Sequence, residues 1–129
     1  MFYVFSKIPE VTDTKADPFK LDMKLTAGVV HQVDVLFQSG ANHEEFVQVH
    51  YGGVQIWPSN RGEYLRGNAT VISFREFMEL PAGMNTLVAH ISTTLTQDFK
   101  EVLIQVGVLP KRIIQPLSFE ELLNAAKGT

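Results

Sequence analysis

Residues 46–57, with the sequence FVQVHYGGVQIW, constrain the fold of this chain most strongly. Side chains alternate between two faces up to Tyr51, and Gly52 and Gly53 supply the positive φ angles that a two-residue type I′ or II′ turn requires. The alternation then resumes, and Pro58 ends the pairing because proline has no N–H to donate to a β-ladder. The segment therefore predicts a β-hairpin.

The same two-residue alternation recurs along most of the chain. Residues 75–80 extend one of these segments, either as strand or as a single helical turn. Short alternating strands between turn residues, with no βαβ periodicity, predict an antiparallel β-sandwich of about seven or eight strands over residues 19–110. Its topology is either jelly-roll or immunoglobulin-like. Besides the hairpin, the alternating segments are residues 19–26, 29–38, 70–74, 86–94 and 99–109.

Residues 1–18 combine a short apolar run, MFYVF, with a polar segment that contains two prolines. The apolar run has strong β preference, and the segment behind it would let it pair with a distant edge or a neighbouring subunit. We therefore predict an extended N-terminal arm, and the alternative is an ordinary first strand of the same sheet. The predicted partner-binding residues of the arm are Phe2, Tyr3, Val4 and Phe5.

Residues 111–129 are predicted to form a connector and a short C-terminal α-helix. Ser118 and Glu121 have the spacing of a capping box at its start. The helix is too short to be stable alone in water, so it either covers the chain's own sheet or inserts into a partner. Its predicted contact residues are Phe119, Leu122 and Leu123.

Composition excludes several classes of protein. The 129 residues fit a single domain, and the absence of cysteine rules out disulfides, thiolate metal sites and a cysteine nucleophile. A net charge of −3 shows no basic excess, which argues against direct nucleic-acid binding. There is no apolar run long enough for a membrane-spanning helix, and the N-terminus lacks the features of a signal peptide. We therefore expect synthesis in a cytoplasm.

Motifs for catalysis, metal binding or cofactor binding are missing from the sequence. It contains no nucleophile elbow, phosphate-binding glycine loop or HExxH pattern. The acidic residues, including Glu44 and Glu45, are interpreted as solvated surface. A metal site built from His31, His50 and His90 is an alternative. However, His31 shares its predicted face with core valines, which favours a core or edge histidine whose ring nitrogens are hydrogen-bonded within the protein. We predict no catalytic residues, no metal and no cofactor.

The loop after the hairpin is the longest polar loop of the chain and a candidate contact surface. Its aromatic and arginine side chains could stack on a sugar or grip an acidic partner. The other interpretation is that the tryptophan packs over the end of the core and the arginines are solvated. A carbohydrate-binding module is therefore the alternative function, with a glycan as the alternative partner. The loop residues concerned are Trp57, Asn60, Arg61, Tyr64 and Arg66.

The predicted sandwich, with GGVQIWPSN and GEYLRGN followed by TVISF and ending in VLIQVGVLP, resembles the small β-sandwich proteins that tailed bacteriophages place on their capsids. The resemblance covers about 90 residues and is one of architecture and loop layout. It implies a non-enzymatic virion protein, a capsid decoration or accessory subunit, that binds and stabilises the capsid lattice. It further implies a homo-oligomer, often a trimer, whose partners are protein surfaces.

Overall fold

A computed structural model of the protein describes residues 1–110. The predicted connector and C-terminal helix, with Phe119, Leu122 and Leu123, lie outside the described residues. Within them the fold is all-β, and no helix long and apolar enough to cross a membrane is present there. The eight strands are β1 (Phe2–Lys7), β2 (Phe19–Lys24), β3 (Gly28–Phe37), β4 (Glu45–Tyr51), β5 (Val54–Trp57), β6 (Thr70–Leu80), β7 (Thr86–Thr93) and β8 (Val102–Leu109).

The strands form two antiparallel sheets of four, in the orders β1-β8-β3-β6 and β2-β7-β4-β5. Strand β1 pairs with β8, β2 with β7, β3 with β6 and β4 with β5, so the chain resembles one long hairpin that is rolled up. Among the eight strands described, only β4 and β5 are consecutive within one sheet, and every other connection between them crosses from one sheet to the other. This is the strand order of a jelly roll, whereas an immunoglobulin-like sandwich keeps several consecutive strands in one sheet.

The two sheets enclose a single hydrophobic core, to which alternate residues of both sheets contribute. Strand β8 confirms the predicted pattern most clearly, because its alternate residues from Val102 to Val108 are fully buried. The same hydrophobic cluster includes Val49, Leu87 and Ile91 of the second sheet. The predicted β-sandwich is therefore confirmed in its layers and in the faces of its central strands.

Residues 2–7 belong to the chain's own sheet rather than to a free arm, as the alternative interpretation predicts. They pair with β8 along their whole length, from Phe2 opposite Gly107 to Lys7 opposite Val102. Tyr3 and Phe5 pack against the core, while Phe2 and Val4 point outwards and are exposed. The strong β preference of the segment thus predicts a strand, but local sequence does not reveal which edge it joins.

The predicted hairpin is confirmed. Gly52 and Gly53 have φ angles of 59° and 79°, the left-handed pair that a type I′ turn needs. The ambiguous residues 75–80 are strand, since β6 continues without interruption from Thr70 to Leu80.

Candidate functional site

The outer faces of the two sheets differ in chemistry. A sheet face that is open to water is normally polar. The second sheet follows this rule, with outward side chains that include Lys20, Asp22, Lys24, Gln48 and His50. The first sheet departs from it: Phe2 is 64%, Val4 57%, Val71 55% and Phe77 52% exposed.

Strand register arranges the outward side chains of the first sheet in three rows across β1, β8, β3 and β6. The row nearest the start of β1 combines an aromatic ring with polar groups, and the row farthest along is mostly aliphatic. The rows are Phe2, Gly107, Gln32 and Arg75; Val4, Gln105, Asp34 and Ser73; and Ser6, Leu103, Leu36 and Val71.

A groove of about 630 Å³ lies on this face between the rings of Phe2 and Phe77. Its volume is within the range of pockets that hold small ligands. The floor is polar and comes from β3 and β6. The residues that line it between the two rings are His31, Gln32, Asp34, Arg75 and Glu76.

A β-bulge in β3 places His31 on this groove. Against β8, the pairs Val30–Val108 and Gln32–Gly107 leave His31 as an extra residue of β3. Against β6 the register shifts at the same point, but there the extra residue belongs to β6. A bulge re-aims side chains in this way. The expectation that His31 shares the inner face with Val33 and Val35 is therefore wrong. Its Nδ1 is buried and has no hydrogen-bond partner among residues 1–110.

Gly107 of β8 makes room for the aromatic end of the groove. A Cβ atom at this position would lie 2.7 Å from Cε1 of His31 and 2.7 Å from Cε1 of Phe2. The two rings meet edge to face above the glycine, with centroids 5.7 Å apart. A glycine inside a strand often marks such a close approach, and any larger residue here would push the two rings apart.

The polar floor is organised by Gln32. Its Nε2 donates to Oδ1 of Asp34 at 3.1 Å and to Oγ of Ser73 at 2.8 Å. These bonds fix the amide across β3 and β6. They also leave Oε1 of Gln32 and Oδ2 of Asp34 without a hydrogen-bond partner among residues 1–110. Sequence reasoning missed this set, because its members come from distant parts of the chain.

The loop residues named from the sequence are not a stacking platform around Trp57. Trp57 is 4% exposed and packs edge to face on Phe74, with ring centroids 5.3 Å apart. Tyr64 rests on Phe46, and the ammonium of Lys15 lies 4.0 Å from the centre of the Phe46 ring. Carbohydrate binding through this loop therefore lacks its central aromatic side chain.

Asn60, Arg61 and Arg66 are exposed in the same loop. The loop lies along β4, because the backbones of Val47 and Leu65 exchange two hydrogen bonds, of 2.9 and 2.8 Å. It therefore covers part of the second sheet's edge beside β4. The interpretation that these arginines are solvated agrees with their exposure.

The side chain of Gln55 in β5 forms hydrogen bonds to the backbone of this loop. Its Nε2 donates to the carbonyl oxygen of Pro58 at 2.7 Å, and its Oε1 accepts from the backbone N–H of Gly62 at 3.1 Å. Gln48 adds a bond to the carbonyl oxygen of Glu63 at 2.9 Å. The sequence offered no signal for these roles, since a glutamine on an outward strand position looks like ordinary solvated surface.

The three strand histidines do not come together. His50 and His90 stack on the second sheet, with ring centroids 3.8 Å apart and planes 14° apart, whereas His31 lies on the first sheet. Desolvation lowers the pKa of both stacked histidines, and Lys20 nearby lowers each further. Across residues 1–110, no three His, Asp or Glu side chains are grouped to hold a metal ion. The alternative metal site built from the three histidines is therefore wrong, because His31 lies on a different sheet from His50 and His90.

Glu45 is buried, so its interpretation as solvated surface is wrong. Its Oε2 accepts a hydrogen bond of 3.0 Å from the backbone N–H of Lys100, while its Oε1 is buried and finds no partner in the described part of the chain. Desolvation raises the pKa of this carboxyl, and the contact with Lys100 only partly opposes the effect.

Comparison with known proteins gives no family for the chain. No model of a known protein family matches it, and a search of curated proteins finds no match. The strand order and the geometry of the first sheet's outer face are therefore the features that bear on function.

Proposed function

We propose that the protein is a non-enzymatic structural subunit that binds protein surfaces through the outer face of its first sheet. The observation that carries this proposal is the contrast between the two outer faces, one polar and one with exposed Phe and Val side chains. Contiguous exposed apolar surface on a folded domain marks an interaction site. The second sheet, with its lysines and stacked histidines, serves as the solvated face.

The aliphatic part of this face is the region we assign to protein contact. Leu36 and Leu103 are half-buried in the middle of the sheet, and the more exposed Val4 and Val71 lie at its two sides. A partner surface laid across the four strands would remove all four side chains from water. Burial of such apolar area is the main favourable term in protein association.

We further propose that the surface it binds belongs to a virion, where the protein acts as a capsid decoration or accessory subunit. Two arguments support this: the resemblance in loop layout, and the jelly-roll strand order, an architecture shared by viral capsid and lectin domains. Copies of the chain would associate with one another on a capsid lattice, with a trimer as the favoured state. The chain's termini would contribute further contacts.

The proposal predicts that Val71→Asp weakens association. The substituted carboxylate would have to lose its hydration at the interface, which costs more than the lost apolar contact alone. We expect the self-associated species of the wild-type protein to shift towards the single chain in light scattering after gel filtration. Val54→Asp is the matched control, because Val54 is also an exposed strand valine but lies beside the hairpin turn of the second sheet. Equal behaviour of the two variants would contradict the proposal.

A further inference from the structure

We propose that the groove between Phe2 and Phe77 is a binding site for a neutral carbohydrate. This goes beyond the proposed protein contact, which uses the aliphatic part of the same face. The groove adjoins that part but has different chemistry, because two exposed aromatic rings border a floor of polar side chains.

The aromatic borders indicate the first property of the ligand. Phe2 and Phe77 are each more than half exposed, so their ring faces are open to a partner. The C–H face of a sugar ring is a flat apolar surface that packs on such rings, and aromatic contacts of this kind dominate many small-ligand sites. A ligand with one flat apolar side is therefore favoured.

The floor indicates the second property. Arg75 only donates hydrogen bonds, and the carboxylate of Asp34 only accepts them. An anionic ligand would meet the Asp34 carboxylate, and a cationic ligand would meet the guanidinium. Hydroxyl groups both donate and accept, so a neutral polyhydroxylated ligand satisfies both side chains at once. Together with the flat apolar side, this describes a carbohydrate.

Three local features show that the groove is built rather than incidental. The bulge brings His31 to the floor, and Gly107 lets its ring approach Phe2. Nδ1 of His31 is also buried without a hydrogen-bond partner among residues 1–110, a feature that calls for an explanation in a native structure.

The test begins with a glycan array of neutral hexose and N-acetylhexosamine oligosaccharides, probed with the full chain. Each glycan that binds is then titrated by calorimetry against the wild-type protein and against Phe77→Ala and Asp34→Asn. We expect each substitution to weaken binding about tenfold or more, because one removes a stacking ring and the other a charged acceptor. Phe77→Tyr, which keeps the ring, should retain wild-type affinity.

Arg61→Ala and Arg66→Ala are the controls, because both arginines are exposed in the loop after β5. Unchanged affinity in these variants supports the groove. Absence of binding to every glycan on the array overturns the proposal, and so does binding that survives both groove substitutions or is lost with the loop arginines. Each groove variant is checked for an unchanged unfolding transition. Association measured in parallel on Val71→Asp keeps a failure here distinct from a failure of the proposed protein contact.

Discussion

Glu45 shows how one side chain can oppose the stability of the domain in which it is buried. The fold raises the pKa of this carboxyl above its usual value of 4.5, so the folded state binds the proton more tightly than the unfolded chain does. The free energy of unfolding therefore falls as the pH rises from the unfolded pKa through the folded pKa, and it stays reduced above that range.

Glu45→Gln tests this account. Glutamine keeps an oxygen that can accept the N–H of Lys100 but removes the buried charge. We expect the variant to be more stable than the wild-type protein at pH 7, and the difference to disappear below the unfolded pKa, near pH 4. Urea denaturation at both pH values measures it. A stability difference that does not change with pH would show that the buried charge is not the cause.

At the scale of elements, the loop after β5 depends on a strand residue for its shape. Gln55 bonds to the backbone on both sides of the loop, at Pro58 and Gly62. Gln55→Ala removes both bonds, and at roughly 1 kcal/mol for each we expect a loss of about 1–2 kcal/mol in the free energy of unfolding. Trypsin should also cleave after Arg61 and Arg66 faster than in the wild-type protein, because the loop opens more often.

Gln97→Ala is the control for this prediction, because Gln97 is exposed in the loop between β7 and β8. It should leave both the stability and the rate of cleavage unchanged. Equal cleavage rates in the two glutamine variants would show that Gln55 does not hold the loop.

Elements that depend on local backbone geometry could be predicted from the sequence, whereas those that depend on long-range strand pairing could not. The hairpin at Gly52 and Gly53 and the buried face of β8 follow from backbone geometry and alternation, which are local properties. The bulge at His31 could not be predicted from the local sequence, because a run of Val, His and Gln is compatible with either pairing register of the strand. The partner of β1 is likewise a long-range property, since β8 lies almost a hundred residues away.

The candidate site shows the same limit. Phe2 was singled out from the sequence, but as part of an arm. The other groove residues lie at positions 31–34 and 75–77, and only the rolled strand order brings these three parts of the chain together on one face. Trp57 received attention because it is the only tryptophan, yet its indole is part of the core. Residue type alone therefore singled out a side chain of the core.

For the whole molecule, we propose that the outer face of the first sheet binds protein surfaces, among them the same face of other copies of this chain. Sedimentation velocity of the wild-type protein over a wide range of concentrations tests it most directly. We expect a weight-average mass that rises with concentration above the 14.5 kDa of one chain. It further predicts that this rise is lost in the Val4→Asp, Val71→Asp double variant. A single 14.5 kDa species at every concentration, or an identical rise in the double variant, would contradict the claim.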